Sequence, residues 1–539
     1  MEKRTILAIA LSLAVLLGFQ YFFPAAQHKP VAERQVNTQP AQSPATAVPA
    51  TPNVDADKAA DVKAASKPAA PAIPVEKGEI IIVSNSVYQA EIDTLGGQLK
   101  SFSLKKYRTD LAPDSPDLNL VSSDTEGSYP LSGAVKIKGV WYQDKNLPYK
   151  VANTQVIDVT DTAKNLQLKA SLPTGDTLIK EFVFQPGSYL LEVIYSYIDA
   201  DNISHKVDAV KLNWAHTKVE GKKKRYVYSG VLGYIGEKLY KPSKKDKKLS
   251  RQDLLGPITW LGFTKKYFIS VIIAPDEAAV TRTTGTIERL DATHLSTGLQ
   301  VNNADRVKVY IGPKKGGILQ ALGVHLEKSI EYGWFGVIAR PLVQMLQFFN
   351  QYVHNYGIAI IILTILIKLV FYPLSQKSYK SMGKMKLVQP KLAKLKEKYK
   401  DDKARLNKEM MDLYRTNKVN PFGGCLPIVV QIPVFFALYR ALMVAIELRH
   451  APFFGWIVDL SAKDPYYITP LIMGATMFLQ QKMTPSTGDA MQAKMMLFMP
   501  IIFTFMFLNF PSGLVLYWLV NNLLSIGQQY MVMRQVETA

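Results

Sequence analysis

Lys368 sits in the run "IAIIILTILIKLVFYPL" (358–374), which is otherwise apolar apart from Thr364. An ammonium one turn beyond a hydroxyl, in a stretch greasy enough for lipid, pulls on a carboxylate harder than it would in water. Further polar residues recur at helical spacing in other apolar runs. Tyr517, Asn521, Ser525 and Gln528 fall on one helix face, which Trp518, Asn522 and Gln529 widen. Thr469, Thr476 and Gln480 follow the same spacing, and Gln431 interrupts a third run. Such groups can hold a charge or hydrate a passing segment, and each costs free energy against lipid, so their faces should turn inward. Bond-breaking chemistry has no comparable set. The seven histidines are scattered, no HExxH or Cys/His cluster occurs, and no GxxxxGK[ST] loop follows a strand. No metal site and no cofactor are indicated.

Each of these residues has a plainer reading. Asn, Gln, Ser and Thr often join packed helices as hydrogen-bonding glue. Lys368 lies five residues before Pro373, about 7–8 Å of helix, a distance a lysine stem can snorkel. A snorkelling lysine and a cavity cation both fit. Arg440, near the other end of its run, reads as snorkelling.

The elements that must position these residues follow from how apolar and charged residues are spread. The chain has 539 residues, 48 % hydrophobic, with long apolar runs crowded into the last 200 or so and the first 23. This is the pattern of a membrane protein with a large soluble insert. The net charge of +20 does not imply DNA, because the basic residues cluster beside apolar runs, where the positive-inside rule expects cytoplasmic loops. The single cysteine, Cys425, excludes an intramolecular disulfide.

Residues 1–23 carry a basic patch and an apolar run from Ile6 to Phe23. They read as an uncleaved signal anchor with its N-terminus in the cytoplasm; a cleaved signal peptide is the alternative. Residues 24–77, rich in Pro and Ala, read as a disordered tether. Residues 78–328 alternate β-branched and aromatic strands, such as "TLIKEFVF" and "YLLEVIYSYID", with turns such as "LPTGDT". An all-β sandwich on the far side of the membrane is expected, with no catalytic constellation. Its lysine-rich stretches "KVEGKKKRYVY" and "KPSKKDKKLSRQ" read as solvated loops. Residues 332–353 are amphipathic and aromatic, suited to a helix lying at the outer interface.

Residues 354–539 hold five candidate spans, at about 356–373, 426–446, 467–481, 495–510 and 514–531. From Lys377 to Lys418 there are 14 Lys/Arg against 5 Asp/Glu, a net +9, whereas the loop Glu447–Tyr466 has net −1. With the anchor, this alternation gives six spans with both termini cytoplasmic. Within 376–420, Met385, Val388, Leu392, Leu395 and Tyr399 keep 3–4 spacing before "KDDK", and Leu406, Met410 and Leu413 resume it. Two short helices in an antiparallel hairpin are expected, with lysines outward. Attraction to anionic headgroups and docking of ribosomal RNA, a targeting factor or a nascent chain both fit such a surface.

The stretches "FYPLSQKSYKSMGKMKLVQPKLAKLKEKYKDDK", "NPFGGCLPIVVQIPVFFALYRAL", "DPYYITPLIMGATMFLQQKM" and "FPSGLVLYWLVNNLLSIGQQ" closely resemble the YidC membrane-protein insertases of diderm bacteria. The resemblance covers nearly the whole chain. It implies a multi-domain inner-membrane protein: signal anchor, large periplasmic β-supersandwich-like domain, interfacial helix and α-helical five-span core. The implied function is that of an insertase and chaperone, not an enzyme. It moves hydrophilic segments of nascent membrane proteins through a cationic intramembrane groove and releases apolar helices into lipid, alone or beside the Sec translocon. The groove cation falls on Lys368, where many members carry arginine, so a point charge on a flexible stem replaces a planar fork. Thr364, Tyr517 and Trp518 match positions along which substrate helices slide, and Gln431, Asn521 and Ser525 join them as groove candidates. The hairpin, with Lys384, Lys391, Lys394, Lys398, Lys403 and Arg405, matches a loop that recruits ribosome, targeting receptor and substrate. Only five residues follow Arg534, too few for ribosome binding through a basic tail. Two other classes remain in play: a transporter or channel for a small anionic solute, opposed by the lack of a detectable inverted repeat, and a scaffold in which the polar residues are only glue.

Overall fold

The computed structural model describes residues 78–538 except 122–128, 152–155, 218–227, 244–249, 292–293, 418, 421–425 and 485–489. The expected signal anchor, the tether and Cys425 lie outside the described residues.

From Ile80 to Pro313 the chain forms three sheets of five, ten and six strands. Pairing is antiparallel except where Ile80–Ser84 meets Val156–Asp158 in parallel. Period-2 alternation explains the burial. Along Thr177–Phe184, Leu178, Lys180, Phe182 and Phe184 turn inward, and along Leu190–Ile198 so do Leu191, Val193, Tyr195 and Tyr197. The strand Phe268–Ile273 is buried on both faces. It lies inside the ten-stranded sheet, between Ile258–Thr264 and Arg306–Pro313. Gly262 permits that pairing, because a Cβ there would collide with the Ser270 carbonyl. One continuous apolar core joins the sheets and includes Trp214, Trp260, Phe102 and Phe182.

Helices dominate from residue 336 on, and we label them α1 Gly336–Val353, α2 Tyr356–Val370, α3 Tyr372–Lys398, α4 Lys403–Thr416, α5 Leu426–Val444, α6 Ile468–Met483, α7 Ala490–Phe507 and α8 Ser512–Thr538. In α1, Ala339, Leu342, Val343 and Leu346 face the core while Val337, Phe348 and Tyr352 are exposed. Asn355 caps α2, its side-chain oxygen accepting from the amides of Gly357 and Ile358. Gly474 lets α6 pack closely on Thr504 of α7. A second core forms where α1, α2, α5 and α8 meet, with Leu346, Leu363, Leu442 and Tyr517 among its members.

Two features differ from the sequence expectation. Pro373 does not separate a span from a hairpin: α3 begins at Tyr372, with Pro373 in its first turn, where a missing N–H costs nothing. The break falls at Phe371 instead, and α2 and α3 meet there at 66°. The first hairpin arm is therefore 27 residues long. Its Met385, Val388 and Leu392 pack on Tyr414 and Val419 across the turn. The second difference is length. Among the described residues no single helix is long and apolar enough to cross a membrane, although α2 and α3 pass together as a bent pair. The 15 residues of α2 rise about 22 Å, short of a hydrocarbon core of about 30 Å.

Candidate functional site

The residues that share a face of α8 are buried together: Tyr517, Asn521, Asn522, Ser525, Gln528 and Gln529. Each meets a neighbour chosen by depth along the helix. Gln431 of α5 donates from Nε2 to Asn521 Oδ1 at 2.7 Å, with Tyr517 Oη at 3.4 Å. One turn further, Lys368 of α2 donates from Nζ to Ser525 Oγ at 2.6 Å, and that hydroxyl donates in turn to the Asn521 carbonyl at 2.6 Å. Gln528 reaches the Tyr372 carbonyl at the α2–α3 bend at 3.3 Å. On the opposite side, Asn522 lies 3.4 Å from the Thr476 hydroxyl of α6. Side chains of α2, α5 and α8 thus form one polar seam, with a carbonyl of α3 at one end and Thr476 of α6 on its far side, and Lys368 is the only charge among these side chains.

Beside the seam lies a narrow crevice lined by Ile367, Lys368, Phe371, Ser375, Val430 and Gln431. Lys368 is half-buried. Among the described residues no carboxylate comes within ion-pairing distance of it. Such a cation is favoured only where an anion or water can reach it.

Thr364 and Trp518 take other surroundings. The Thr364 hydroxyl is buried and donates to the Ile360 carbonyl of its own helix at 2.6 Å. Trp518 packs edge-on against Phe435 (4.7 Å between ring centroids) and beside Phe507 (5.5 Å). Its indole N–H is buried with no hydrogen-bond acceptor among the described residues. On the hairpin, Lys384, Lys391, Lys394, Lys398 and Arg405 are exposed, and Lys403 opens α4. Lys398 and Arg405 both stand 5.3 Å from the Tyr399 ring.

Sequence reasoning missed a second charged cluster, in the β domain. Lys180 is completely buried, and its Nζ donates to Asp144 Oδ2 at 2.8 Å, to the Leu131 carbonyl at 2.7 Å and to the Gly96 carbonyl at 3.0 Å. Asp144 also accepts from Tyr195 Oη and from the Gly133 amide, each at 2.6 Å. Burial pushes the lysine down from its ordinary value, against the pull of Asp144, and the same burial beside that carboxylate pushes Tyr195 up. Every donor has an acceptor and no solvent reaches the group, so this is a strut between segments of different sheets. The inward parity of Lys180 in "TLIKEFVF" was the available signal. Among the described residues no cluster of His, Cys, Asp and Glu could hold a metal ion.

Comparison with known proteins agrees with this two-part layout. The family model described as YidC periplasmic domain matches residues 80–345, and the one described as 60Kd inner membrane protein matches residues 348–539. A membrane protein insertase YidC of Syntrophus aciditrophicus is 45% identical over 99% of this chain and 100% of its own length. The one from Citrifermentans bemidjiense is 44% identical over 99% of this chain and 100% of its own. A crystal structure of an active YidC insertase with its first transmembrane domain resolved aligns over 85% of this chain and 95% of that one, with 19% identity and a TM-score of 0.39. Identity above 40% along the full length of both curated relatives decides the matter: the chain belongs to the YidC family of membrane protein insertases.

Proposed function

We propose that this chain is a membrane protein insertase and chaperone of the inner membrane, and that Lys368 draws hydrophilic segments of nascent membrane proteins into the crevice between α2, the start of α3 and α5, beside the polar face of α8. The observation that carries the reading is the state of that cation. Its ammonium turns onto Ser525 of α8 at 2.6 Å, with no acidic partner among the described residues and a crevice beside it. A snorkelling lysine would extend away from the helix bundle; this one reaches across it.

In this reading α2, α5, α6, α7 and α8 are the five spans of the core. The strands face the periplasm, and the α3–α4 hairpin and both termini face the cytoplasm. The hairpin, with its exposed lysines, receives the ribosome, a targeting receptor or the substrate, and Sec components are partners at the lateral side. The short α2 and α6, 15 and 16 residues, fit a bilayer thinned around them, since mismatch is relieved by local thinning. A thinner and partly hydrated layer lowers the barrier for a polar flank. The driving force is burial of the substrate's apolar segment, about 25 cal/mol per Å², so no nucleotide is needed.

The test is insertion of a single-span protein with an acidic flank into liposomes containing the purified chain, scored by protease protection. Lys368→Arg should insert as the parent does, and Lys368→Ala should lose about tenfold, the equivalent of one modest charge interaction. An alanine form that folds and inserts as well as the parent overturns the cationic crevice.

A further inference from the structure

Where the β domain meets the helices, a second cleft opens, of about 510 Å³. The end of strand Gln98–Arg108, the turn that follows it, Lys315, Tyr356 at the start of α2, and the segment Ile446–His450 after α5 enclose it. Lys105, Lys106, Arg108, Lys315 and Arg449 line it against Asp110 and Glu447, a net +3 with His450 neutral. The charges divide into fixed and free ones. Arg449 is a strut, donating from Nη2 to the carbonyls of Arg108 at 2.6 Å and Thr109 at 3.2 Å. Arg108 donates to the Pro113 carbonyl, Lys105 to the Ser84 hydroxyl, and Glu447 accepts from Gln347 of α1 at 2.7 Å. Lys106 and Lys315 are exposed, and their ammonium groups have no partner among the described residues. This frame therefore presents two uncommitted cations, Lys106 and Lys315, and one uncommitted carboxylate, that of Asp110, to a concave space.

The cleft also has a defined depth. It lies where α1 ends and α2 begins, and the last turns of α1 expose Phe348 and Tyr352, aromatic residues suited to a membrane interface. Two free lysines with a tyrosine between polar walls suit a tetrahedral phosphate anion, which takes several donors at once.

We propose that this cleft binds a phosphate group, that of an anionic lipid headgroup in the outer leaflet, and so fastens the β domain to the bilayer surface beside α2. The placement at headgroup depth rests on the membrane reading given above. A free phosphate ion offers the same chemistry and is distinguished by the test.

The full chain is placed in nanodiscs of phosphatidylcholine with about one-fifth phosphatidylglycerol, an anionic fraction that favours basic sites, and the lipid retained after release is read by native mass spectrometry. The parent should retain one phosphatidylglycerol in preference to phosphatidylcholine. Lys106→Gln with Lys315→Gln should lower that retention by about tenfold or more, two surface charges having been removed. Lys106→Arg with Lys315→Arg should restore it, which a merely structural role for the stems would not require. Equal retention by parent and glutamine variant overturns the site. Displacement of the lipid by inorganic phosphate, with phosphate itself then bound, overturns the lipid assignment in favour of a free anion. Because no insertion assay enters, a chain that inserts normally but retains no anionic lipid overturns this proposal alone. A chain that retains the lipid and inserts nothing overturns only the function proposed above.

Discussion

Lys180 and Lys368 are both lysines inside packed regions, and they are treated in opposite ways. Lys180 has three oxygen acceptors, one of them the carboxylate of Asp144, and no exposed surface. Lys368 has, among the described residues, one hydroxyl acceptor and no acid, and a crevice at its side. Removing an ammonium from water costs several kcal/mol, and only close, complete partnering repays it. Full repayment makes a strut. Partial repayment leaves a charge whose remaining demand must be met by something that arrives. The two differ in depth as well, Lys180 being fully buried and Lys368 half-buried, but it is the set of partners that separates a strut from an unsatisfied charge.

The sharpest way to break this comparison is to make the same substitution at both positions. Lys180→Met leaves the Asp144 carboxylate buried without its cation, which should cost about 3–5 kcal/mol. Lys180→Met with Asp144→Asn should recover part of the loss, since an amide can still accept from Tyr195 or Gly133 while donating to the orphaned carbonyls. Protease resistance of the β domain across a urea series measures both. A single variant within about 1 kcal/mol of the parent would mean that the pair carries no strain-bearing role.

Much of this contrast could be read in the sequence, but unevenly. Lys368 stands out because its neighbours are apolar on every side, an anomaly visible within one window. The face Tyr517, Asn521, Ser525 and Gln528 is legible because helical spacing is fixed, and all four are buried. Lys180 looks ordinary in a strand, where polar residues alternate with apolar ones. Only its register with Leu178, Phe182 and Phe184 marks it as inward. Its partners could not be found, since Asp144 is 36 and Gly96 84 residues away in sequence, and the pairing is a product of sheet topology. The bend at Phe371 was hidden for another reason: Pro373 reads equally as the end of one helix and the first turn of the next. The burial of Thr364 follows from its apolar neighbours, whereas the hydrogen bond to its own helix depends on a rotamer that leaves no mark in the residue pattern.

A third buried base shows another solution, which is to give up the charge. His216 is buried in the β domain, 5.0 Å from the Phe263 ring, and burial with the nearby Lys265 and His294 lowers its pKa from 6.5 to about 3. Because the folded value is the lower one, the unfolded chain takes up a proton first as pH falls through 6.5. The β domain should therefore lose up to about 1.4 kcal/mol per pH unit from this group. The loss begins near 6.5 and ends near 3. His216→Gln should flatten that part of the stability profile, measured by the same proteolysis at neutral and mildly acid pH. An unchanged slope would show that His216 accepts its proton in the folded state.

Lys368→Met completes the comparison with a smaller effect on stability. One hydrogen bond to Ser525 is lost, worth about 1 kcal/mol, and the desolvation cost of the ammonium disappears with it, so the melting midpoint in micelles should hardly move. Insertion of an acidic-flanked substrate should fall while the fold persists. A variant as damaged as Lys180→Met would place Lys368 with the struts and remove the distinction between the two lysines.

The smallest expected change is at Thr364. Its hydroxyl donates to the Ile360 carbonyl at 2.6 Å inside its own helix, a type of back-bond that adds little to helix stability. Thr364→Val keeps the shape and removes only that bond, so stability should shift by no more than about 0.5 kcal/mol and insertion should stay within about twofold. The measurement is informative because Thr364 stands one turn from Lys368 on α2. If the valine form inserts normally, the crevice works through its cation, the Gln431 amide of α5 and the Ser375 hydroxyl of α3. If insertion falls as far as it does in Lys368→Ala, the hydroxyl must leave its carbonyl when a substrate enters, and the hydrophilic surface of the crevice extends a full turn further along α2.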